Sequence, residues 1–153
     1  LPELPYASLR MILLAEAAAA FDELTRSNKD DLLRRQESDA WPNIFRIARF
    51  IPAVEYIQAN RIRTLAMREM SQLMSDIDVY ICPSYGADNL TLTNLTGHPS
   101  VVIPNGFSDD GKPVSSITFV GKLFGESGVL RVAKAVQDDT DFHTQRPQMN
   151  YAS

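Results

Sequence analysis

A chain of 153 residues with 44% hydrophobic and 22% charged residues can bury one core of ordinary size, which excludes a disordered or fibrous protein. The net charge is -4 and no stripe of Lys or Arg occurs, so direct binding of nucleic acid or of an anionic membrane is not expected. The longest apolar run, from Met11 to Phe21, is interrupted by Glu16 and is too short to span a bilayer.

A single cysteine, Cys82, rules out an internal disulfide and fits a reducing compartment. We therefore expect a cytoplasmic location. The sequence starts at Leu1 with neither an initiator Met nor a secretory signal, and from this we expect a piece of a longer protein whose targeting signal would lie upstream.

The first half of the chain predicts helices. Residues 1–26 are predicted to form an amphipathic helix with Ser8 as its N-cap and an apolar stripe at helical spacing: Leu9, Leu13, Ala17, Phe21 and Leu24. Residues 27–41 carry charges of both signs and indicate an exposed linker with at most one helical turn. Residues 42–75 predict two helices, the second of which follows Pro52 and is the longest in the chain.

The second half, residues 78–122, predicts strands and loops. A strand at Val79–Cys82 ends at Pro83 and is followed by a polar loop, 84–89, and a brief helix, Leu90–Leu95. Gly97 permits a backbone turn before a second strand at Val101–Ile103. The turn signal at 109–112 predicts antiparallel pairing with a third strand, Val114–Val120. Residues 125–153 predict a helix, with Val129, Leu130, Val132, Ala133 and Val136 on its buried side, and a loose tail. The expected class is α/β, with helices packed on a small mixed sheet.

Few residues in this sequence are of types and spacings that suggest catalysis or metal binding. Cys82 and His143 are the types of residue that form a nucleophile and base pair, but a buried, inert thiol is the expected state of Cys82. His98 lies in a turn without a second ligand at metal-binding spacing, and we expect it to bond to the backbone there. We therefore expect no catalytic residue, no metal and no cofactor in this chain.

Several segments in order resemble the closing part of the amidase-signature hydrolases. They are the long helix from Phe50 to Arg61, the strand and Pro-turn from Asp78 to Ser84, the Asn-Leu-Thr-Gly-His-Pro segment at 94–99, the Lys112–Lys122 strand, Leu123–Glu126, and Asp141–Pro147. The resemblance implies that this chain is the C-terminal segment of a larger α/β/α amidase fold.

The resemblance further implies hydrolysis of small amides by a Ser-Ser-Lys apparatus that lies upstream. The residue types of that apparatus also occur at Lys112, Ser115 and Ser116, but their arrangement does not match it. Adjacent strand residues point to opposite faces, and no glycine-rich segment surrounds these serines. The polar loop would approach the substrate, and Tyr85, Asp88 and Asn89 are the expected substrate contacts.

Two alternatives stay open: a non-catalytic interaction module, and an amidase-like subunit of a tRNA-dependent amidotransferase complex. The partner expected in either enzymatic case is a small-molecule amide, and a homo-oligomer is compatible with the sequence. A Gly-Ser-rich segment with an earlier lysine, encoded upstream of Leu1, would favour the hydrolase.

Overall fold

The computed structural model describes residues 1–85, 88–109, 111, 112, 114 and 116–146. The chain divides into two compact units. One comprises Glu3–Leu65, and the other comprises Leu1–Pro2 with the chain from Ala66 onward. In the described part of the chain, no helix combines the length and the apolar character needed to cross a membrane.

The N-terminal unit is helical. It contains α1 (Tyr6–Ala20), α2 (Asp22–Arg26), a 3₁₀ turn (Lys29–Leu32), α3 (Trp41–Ala48) and the first part of α4 (Ala53–Leu73). Helix α1 packs on α3, and the ring of Phe45 stacks on those of Phe21 and Trp41. The predicted long helix is confirmed as α4.

Two details of the first predicted helix are wrong. Helix α1 begins at Tyr6, so Ser8 lies inside it and is not its N-cap. The side chains that it buries are Tyr6, Leu9, Ile12 and Ala18, whereas Leu13 and Phe21 are about half exposed. Burial follows whichever face α3 covers, and the spacing of apolar residues along α1 does not reveal that partner.

The predicted linker at 27–41 contains a buried charge. Asp30 is fully buried, although its neighbours in the sequence are exposed. The Nη2 atom of Arg46 lies 2.6 Å from Asp30 Oδ2 and donates a hydrogen bond to Asp31 Oδ1 at 2.5 Å. The linker is therefore tied to α3 through an ion pair that charge patterning along the sequence does not indicate.

The second unit is built on a three-stranded sheet of β1 (Val79–Pro83), β2 (Ser100–Ile103) and β3 (Ile117–Gly121). The strand order is β1-β3-β2, and each described pair is antiparallel. The predicted pairing of the second and third strands is confirmed, with Ser100 opposite Val120 and Ile103 opposite Ile117. The α/β class is confirmed as well, and the described sheet is antiparallel throughout rather than mixed.

The core of this unit lies between the sheet and α6 (Glu126–Asp138). Ile103 and Phe119 pack against Val129 and Ala133 of the helix. Gly121 permits this close approach, because a Cβ at that position would lie 3.2 Å from the Cβ of Val129. Of the residues predicted on the buried side of α6, Leu130 and Val132 are exposed, which corrects that prediction.

The short helix α5 (Asn89–Thr96) positions the site. It includes the predicted Leu90–Leu95 helix, and its C-cap is Gly97, whose φ of +82° is readily adopted only by glycine. The amide of Gly97 donates to the carbonyl of Thr93 at 2.8 Å. This turn ends the helix and places His98 directly before β2.

Candidate functional site

A cavity of about 340 Å³ lies between α5 and the sheet of the second unit. This volume lies within the range of pockets that hold small ligands. The residues that line it come from the end of β1, from α5, and from β2 and β3: Ser84, Asn89, Leu90, Thr93, Asn94, His98, Ser100, Val102 and Thr118. We call it the α5 cavity.

The α5 cavity contains polar side chains that are held in place by hydrogen bonds. Asn89, Thr93, His98 and Thr118 are each at most 9% exposed. The hydroxyl of Tyr80 donates to Asn89 Oδ1 at 2.6 Å, and the hydroxyls of Ser84 and Thr118 share a hydrogen bond of 2.7 Å. Buried polar groups with such bonds form a rigid wall, because a change of rotamer would leave one partner unsatisfied.

His98 has a defined tautomer. Its Nδ1 lies 2.8 Å from the hydroxyl oxygen of Thr96, and that hydroxyl donates its single hydrogen to the carbonyl of Leu92 at 2.8 Å. The Thr96 oxygen can then only accept from His98, so Nδ1 carries a proton. The expected backbone bond of His98 is therefore wrong, because its partner is a side chain.

Burial lowers the pKa of His98 below its usual value of 6.5. The imidazole is thus neutral near pH 7. A neutral ring that carries its proton on Nδ1 has a lone pair on Nε2.

A second cavity, of about 330 Å³, is also lined by His98. Its lining joins the end of α4 to the turn after β3: Met67, Ser71, Met74, Ser75, Thr96, His98, Lys122 and Leu123. The ammonium of Lys122 lies 2.8 Å from Asp78 Oδ1, and this hydrogen bond lowers the pKa of the Asp78 carboxyl. The charge of Lys122 is therefore paired at the edge of this cavity.

Comparison with known proteins gives relatives for this chain. A glutamyl-tRNA(Gln) amidotransferase subunit of Chloroflexus aggregans is 35% identical to it over 61% of this chain and 23% of the relative. The subunit of the same name from Methanosarcina barkeri is 34% identical over 60% of this chain and 23% of the relative. A bacterial aryl acylamidase of the amidase-signature family shares the fold, with a TM-score of 0.59, 18% identity, and coverage of 94% of this chain and 36% of the other. The chain is thus similar in sequence to part of these subunits and shares the fold of amidase-signature enzymes.

The chain spans about a quarter of the length of the curated relatives that it matches, since it covers 23% of each of the two above. The crystal structure of an amidase reaches a TM-score of 0.70 at 16% identity, covering 88% of this chain and 35% of that one. No family model matches the chain. The resemblance seen in the sequence is thus confirmed by relatives and by fold.

The three expected substrate contacts lie in different surroundings. Asn89 is buried and lines the α5 cavity. Tyr85 is 87% exposed and Asp88 is exposed, and neither lines that cavity. Gly86 and Ala87, which complete the loop, lie outside the described residues. A role in substrate binding stays a prediction for all three.

Sequence reasoning missed His98, Thr93 and Thr118 as lining residues. The Asn-Leu-Thr-Gly-His-Pro segment gives a signal for a turn but none for the direction of its side chains. Thr118 occupies the middle of a strand whose neighbours were unknown. A polar residue in an otherwise apolar strand, such as Thr118 between Ile117 and Phe119, is the signal that could have marked it.

Among the residues that the structure describes, the other candidates form no catalytic pair. Cys82 is half-buried rather than fully buried, and this burial raises the pKa of its thiol, which disfavours the reactive thiolate. His143 is exposed. Ser116 is partly buried, while Ser115, Pro113 and Asp110 lie outside the described residues, as does the tail from 147 to 153. Within the described ranges, no group of three or more His, Cys, Asp or Glu side chains could hold a metal ion.

Proposed function

We propose that this chain is the C-terminal part of an amide-hydrolysing amidase-signature enzyme, in which it completes the α/β fold and forms one wall of the substrate pocket. The observation that carries the proposal is the α5 cavity. Its wall presents neutral polar side chains fixed by hydrogen bonds, among them Asn89 and His98, and such a wall suits the recognition of a small uncharged polar group.

In this proposal the Ser-Ser-Lys apparatus lies in the remainder of the enzyme. Thr96 and His98 are a hydroxyl and an imidazole in contact, but their hydrogen bond runs the wrong way for catalysis. The Thr96 proton is engaged with the Leu92 carbonyl, so His98 cannot accept it as a base would. Ser84 and Thr118 bond to each other, and that bond supplies no base.

A second candidate is one component of a tRNA-dependent amidotransferase, in which amide chemistry operates inside a complex. It is favoured by the curated relatives, which are named as subunits of glutamyl-tRNA(Gln) amidotransferases. In both candidates the chain itself contacts a small-molecule amide and no nucleic acid, and we propose a cytoplasmic location. An interaction module without catalytic context is the remaining alternative.

The first test is an assay of the purified chain on a panel of aryl and alkyl amides, with ammonia as the readout. We expect no release above buffer, because the described part of the chain contains no identified nucleophile with an activating base. Turnover that survives Cys82→Ala and disappears in Ser115→Ala would contradict this and return catalysis to the local serines.

The second test is a chimera in which this chain replaces the matching segment of the Chloroflexus aggregans relative. We expect the chimera to release ammonia from simple amides, whereas the relative lacking that segment does not. Activity that requires the partner proteins of the relative would favour the amidotransferase candidate. A folded chimera that is inactive with and without partners would favour the interaction module.

A further inference from the structure

Two hydrogen bonds tie the polar loop at 84–89 to the sheet, one at each end of the loop. At its start, the hydroxyl of Ser84 shares a hydrogen bond of 2.7 Å with that of Thr118 on β3. At its end, the hydroxyl of Tyr80 on β1 donates to Oδ1 of Asn89 at 2.6 Å. In each bond, one partner belongs to the loop and the other belongs to a strand.

We propose that Tyr80 and Thr118 are positioning residues, which hold the polar loop so that Tyr85 and Asp88 meet the substrate in a fixed arrangement. We call them the loop anchors. The proposal rests on the proposed function and specifies how this chain shapes the substrate pocket. Each anchor acts through the loop residue to which it bonds.

The alternation of side chains along β1 explains how both bonds form on one face of the sheet. Tyr80 and Cys82 are two positions apart, so their side chains point to the same face, and Ser84 continues this alternation directly after the strand. Thr118 lies opposite Cys82 in the register of β1 and β3 and therefore shares that face. Strand geometry thus fixes the place of each anchor independently of the loop.

The atoms that form these bonds have little access to water. Asn89 and Thr118 are 6% and 5% exposed, and Tyr80 and Ser84 are partly buried. Removal of one hydroxyl would leave its partner without a hydrogen bond where water replaces it poorly, and this penalty exceeds the contribution of the bond itself. Each end of the loop is therefore expected to keep one conformation while both anchors are present.

The exposed residues of the loop lie next to the anchored ones. Tyr85 is 87% exposed and follows Ser84, and Asp88 is exposed and precedes Asn89. Each exposed residue therefore has its Cα atom about 3.8 Å from that of an anchored neighbour, across one planar peptide unit. Contacts that are held in place before the substrate arrives cost less conformational entropy on binding. The loop anchors are therefore expected to lower KM in the proposed enzyme.

The first test measures kcat and KM of the chimera with the amide of the panel that it turns over fastest. Tyr80→Phe and Thr118→Val each remove one hydroxyl and keep the shape of the side chain. Each is expected to raise KM about fivefold to tenfold and to change kcat less than about twofold, because the Ser-Ser-Lys apparatus lies in the remainder of the enzyme. Thr118→Ser, which restores a hydroxyl, is expected to recover most of the loss.

The matched control is Tyr56→Phe. It also removes a tyrosine hydroxyl that donates to a side-chain oxygen, that of Glu16 in the N-terminal unit, at 3.1 Å. Neither residue belongs to the loop or to the sheet, so KM is expected to stay unchanged.

A second comparison decides whether the anchors act through the loop. In a chimera that already carries Tyr85→Ala and Asp88→Ala, the contacts that the anchors position are absent. Tyr80→Phe and Thr118→Val are then each expected to raise KM less than about twofold further, because two changes that act through one contact are not additive. A general effect on folding would instead persist in this background.

A third measurement follows the loop in the full chain without catalysis, by NMR relaxation of the backbone amides. Tyr80→Phe is expected to increase fast motion at the Asn89 end of the loop, and Thr118→Val at the Ser84 end, each as a decrease of the heteronuclear NOE. Tyr56→Phe is expected to change neither end.

The outcomes separate this inference from the proposed function. Unchanged relaxation in both anchor variants, an unchanged KM in both, or a KM increase that persists without the Tyr85 and Asp88 side chains would each overturn the positioning role, even if the chimera is active. Increased motion at the expected ends with an inactive chimera would uphold the anchored loop and reject the hydrolase. If one anchor variant fails to fold, the other end of the loop still decides.

Discussion

His98 connects the chemistry of the α5 cavity to the stability of the second unit. Its ring is buried, bonded to Thr96 through Nδ1, and held neutral because burial lowers its pKa. Lys122 is the charged residue that shares the second cavity with it, and the Lys122 ammonium is paired with Asp78. A proton added to His98 would thus create a second positive charge in a poorly solvated place.

This arrangement predicts that acid destabilises the second unit. The unfolded chain binds a proton at His98 with a pKa of about 6.5, and the folded chain binds it only at lower pH. Above that pH both states are neutral and His98 contributes no pH dependence. As pH falls below about 6.5, the unfolded state takes up the proton first, so the free energy of unfolding decreases.

The measurement is urea unfolding at several pH values, followed by the NMR signals of Phe119 and Val120 in β3. His98→Asn is expected to flatten the decrease between about pH 6.5 and the lowered pKa of the folded state, while His143→Asn, at an exposed histidine, is expected to retain it. A decrease that persists unchanged in His98→Asn would assign it to other groups.

At the residue scale, the sequence predicted the turn but not its chemistry. Gly97 followed by His98 and Pro99 identifies a backbone turn. Gly97 permits backbone dihedral angles that other residues seldom adopt, and Pro99 restricts those of His98. The partner of the His98 side chain depends on where α5 ends and on the hydroxyl of Thr96. Asn89 was predicted as a substrate contact because it belongs to a polar loop, and its burial depends on the sheet behind it.

The 3₁₀ turn at Lys29–Leu32 and helix α3 are joined by the Asp30–Arg46 ion pair. The Asp30 side chain is 1% exposed, and the Arg46 side chain is 38% exposed. Removal of Arg46 would leave a buried carboxylate without its counter-ion, and such a loss costs more than the pair itself contributes.

We expect Arg46→Ala to lower the free energy of unfolding of the N-terminal unit by about 1–3 kcal/mol, less than for a fully buried pair because water reaches Arg46. Arg35→Ala is the matched control, since Arg35 pairs with Glu37 and Asp39 on the surface, and about 0.5 kcal/mol or less is expected. The fluorescence of Trp41, which lies in α3 and stacks on Phe45, reports the unfolding. Equal losses in the two variants would show that the buried pair has no special role.

The turn after β3 contains backbone strain at an exposed aromatic residue. Phe124 has a φ of +60°, a region that non-glycine residues seldom adopt, and its side chain is 85% exposed. The cost of this conformation is about 1–2 kcal/mol, while glycine costs about 0.5–1 kcal/mol in chain entropy.

Phe124→Gly is therefore expected to stabilise the second unit by up to about 1 kcal/mol, measured by the same urea unfolding of the β3 signals. Leu123→Gly is the control at the adjacent position, where the backbone is not strained, and it is expected to destabilise. A loss of stability in Phe124→Gly would mean that the exposed ring makes a contact that outweighs the strain.

At the element scale, the local patterns identified α4, α6 and the β2–β3 pairing. Each of these follows from residues close in sequence: apolar residues at helical spacing for the two helices, and a turn between two apolar runs for the strand pair. Strand β1 pairs with β3, and Val79 lies opposite Gly121. These two residues are 42 positions apart in the sequence, from 79 to 121, and no local pattern specifies a contact over that separation. The buried faces of α1 and α6 were misjudged for the same reason.

The whole chain leaves apolar surface without a described partner in each unit. In the second unit β1 and β2 are both outer strands, and Ile81 and Val102 on them are 59% and 57% exposed. In the N-terminal unit Phe50 is 85% exposed. The amidase-signature relatives are about four times as long as the part matched here, and sequence outside this chain would supply cover in the proposed enzyme.

These exposed edges predict that the chain associates with itself. Outer strands offer unpaired backbone groups to a neighbour, and apolar side chains beside them make the pairing favourable in water. Sedimentation at several concentrations is expected to show a mass that rises with concentration.

Ile81→Lys and Val102→Lys place a charge on each outer strand and are expected to reduce the association without unfolding the sheet, whereas Leu32→Lys, at an exposed position of the 3₁₀ turn, is the control and is expected to leave it unchanged. A monomer at every concentration, with sharp cooperative unfolding, would contradict the prediction, because it would show that these 153 residues cover their own core without further sequence.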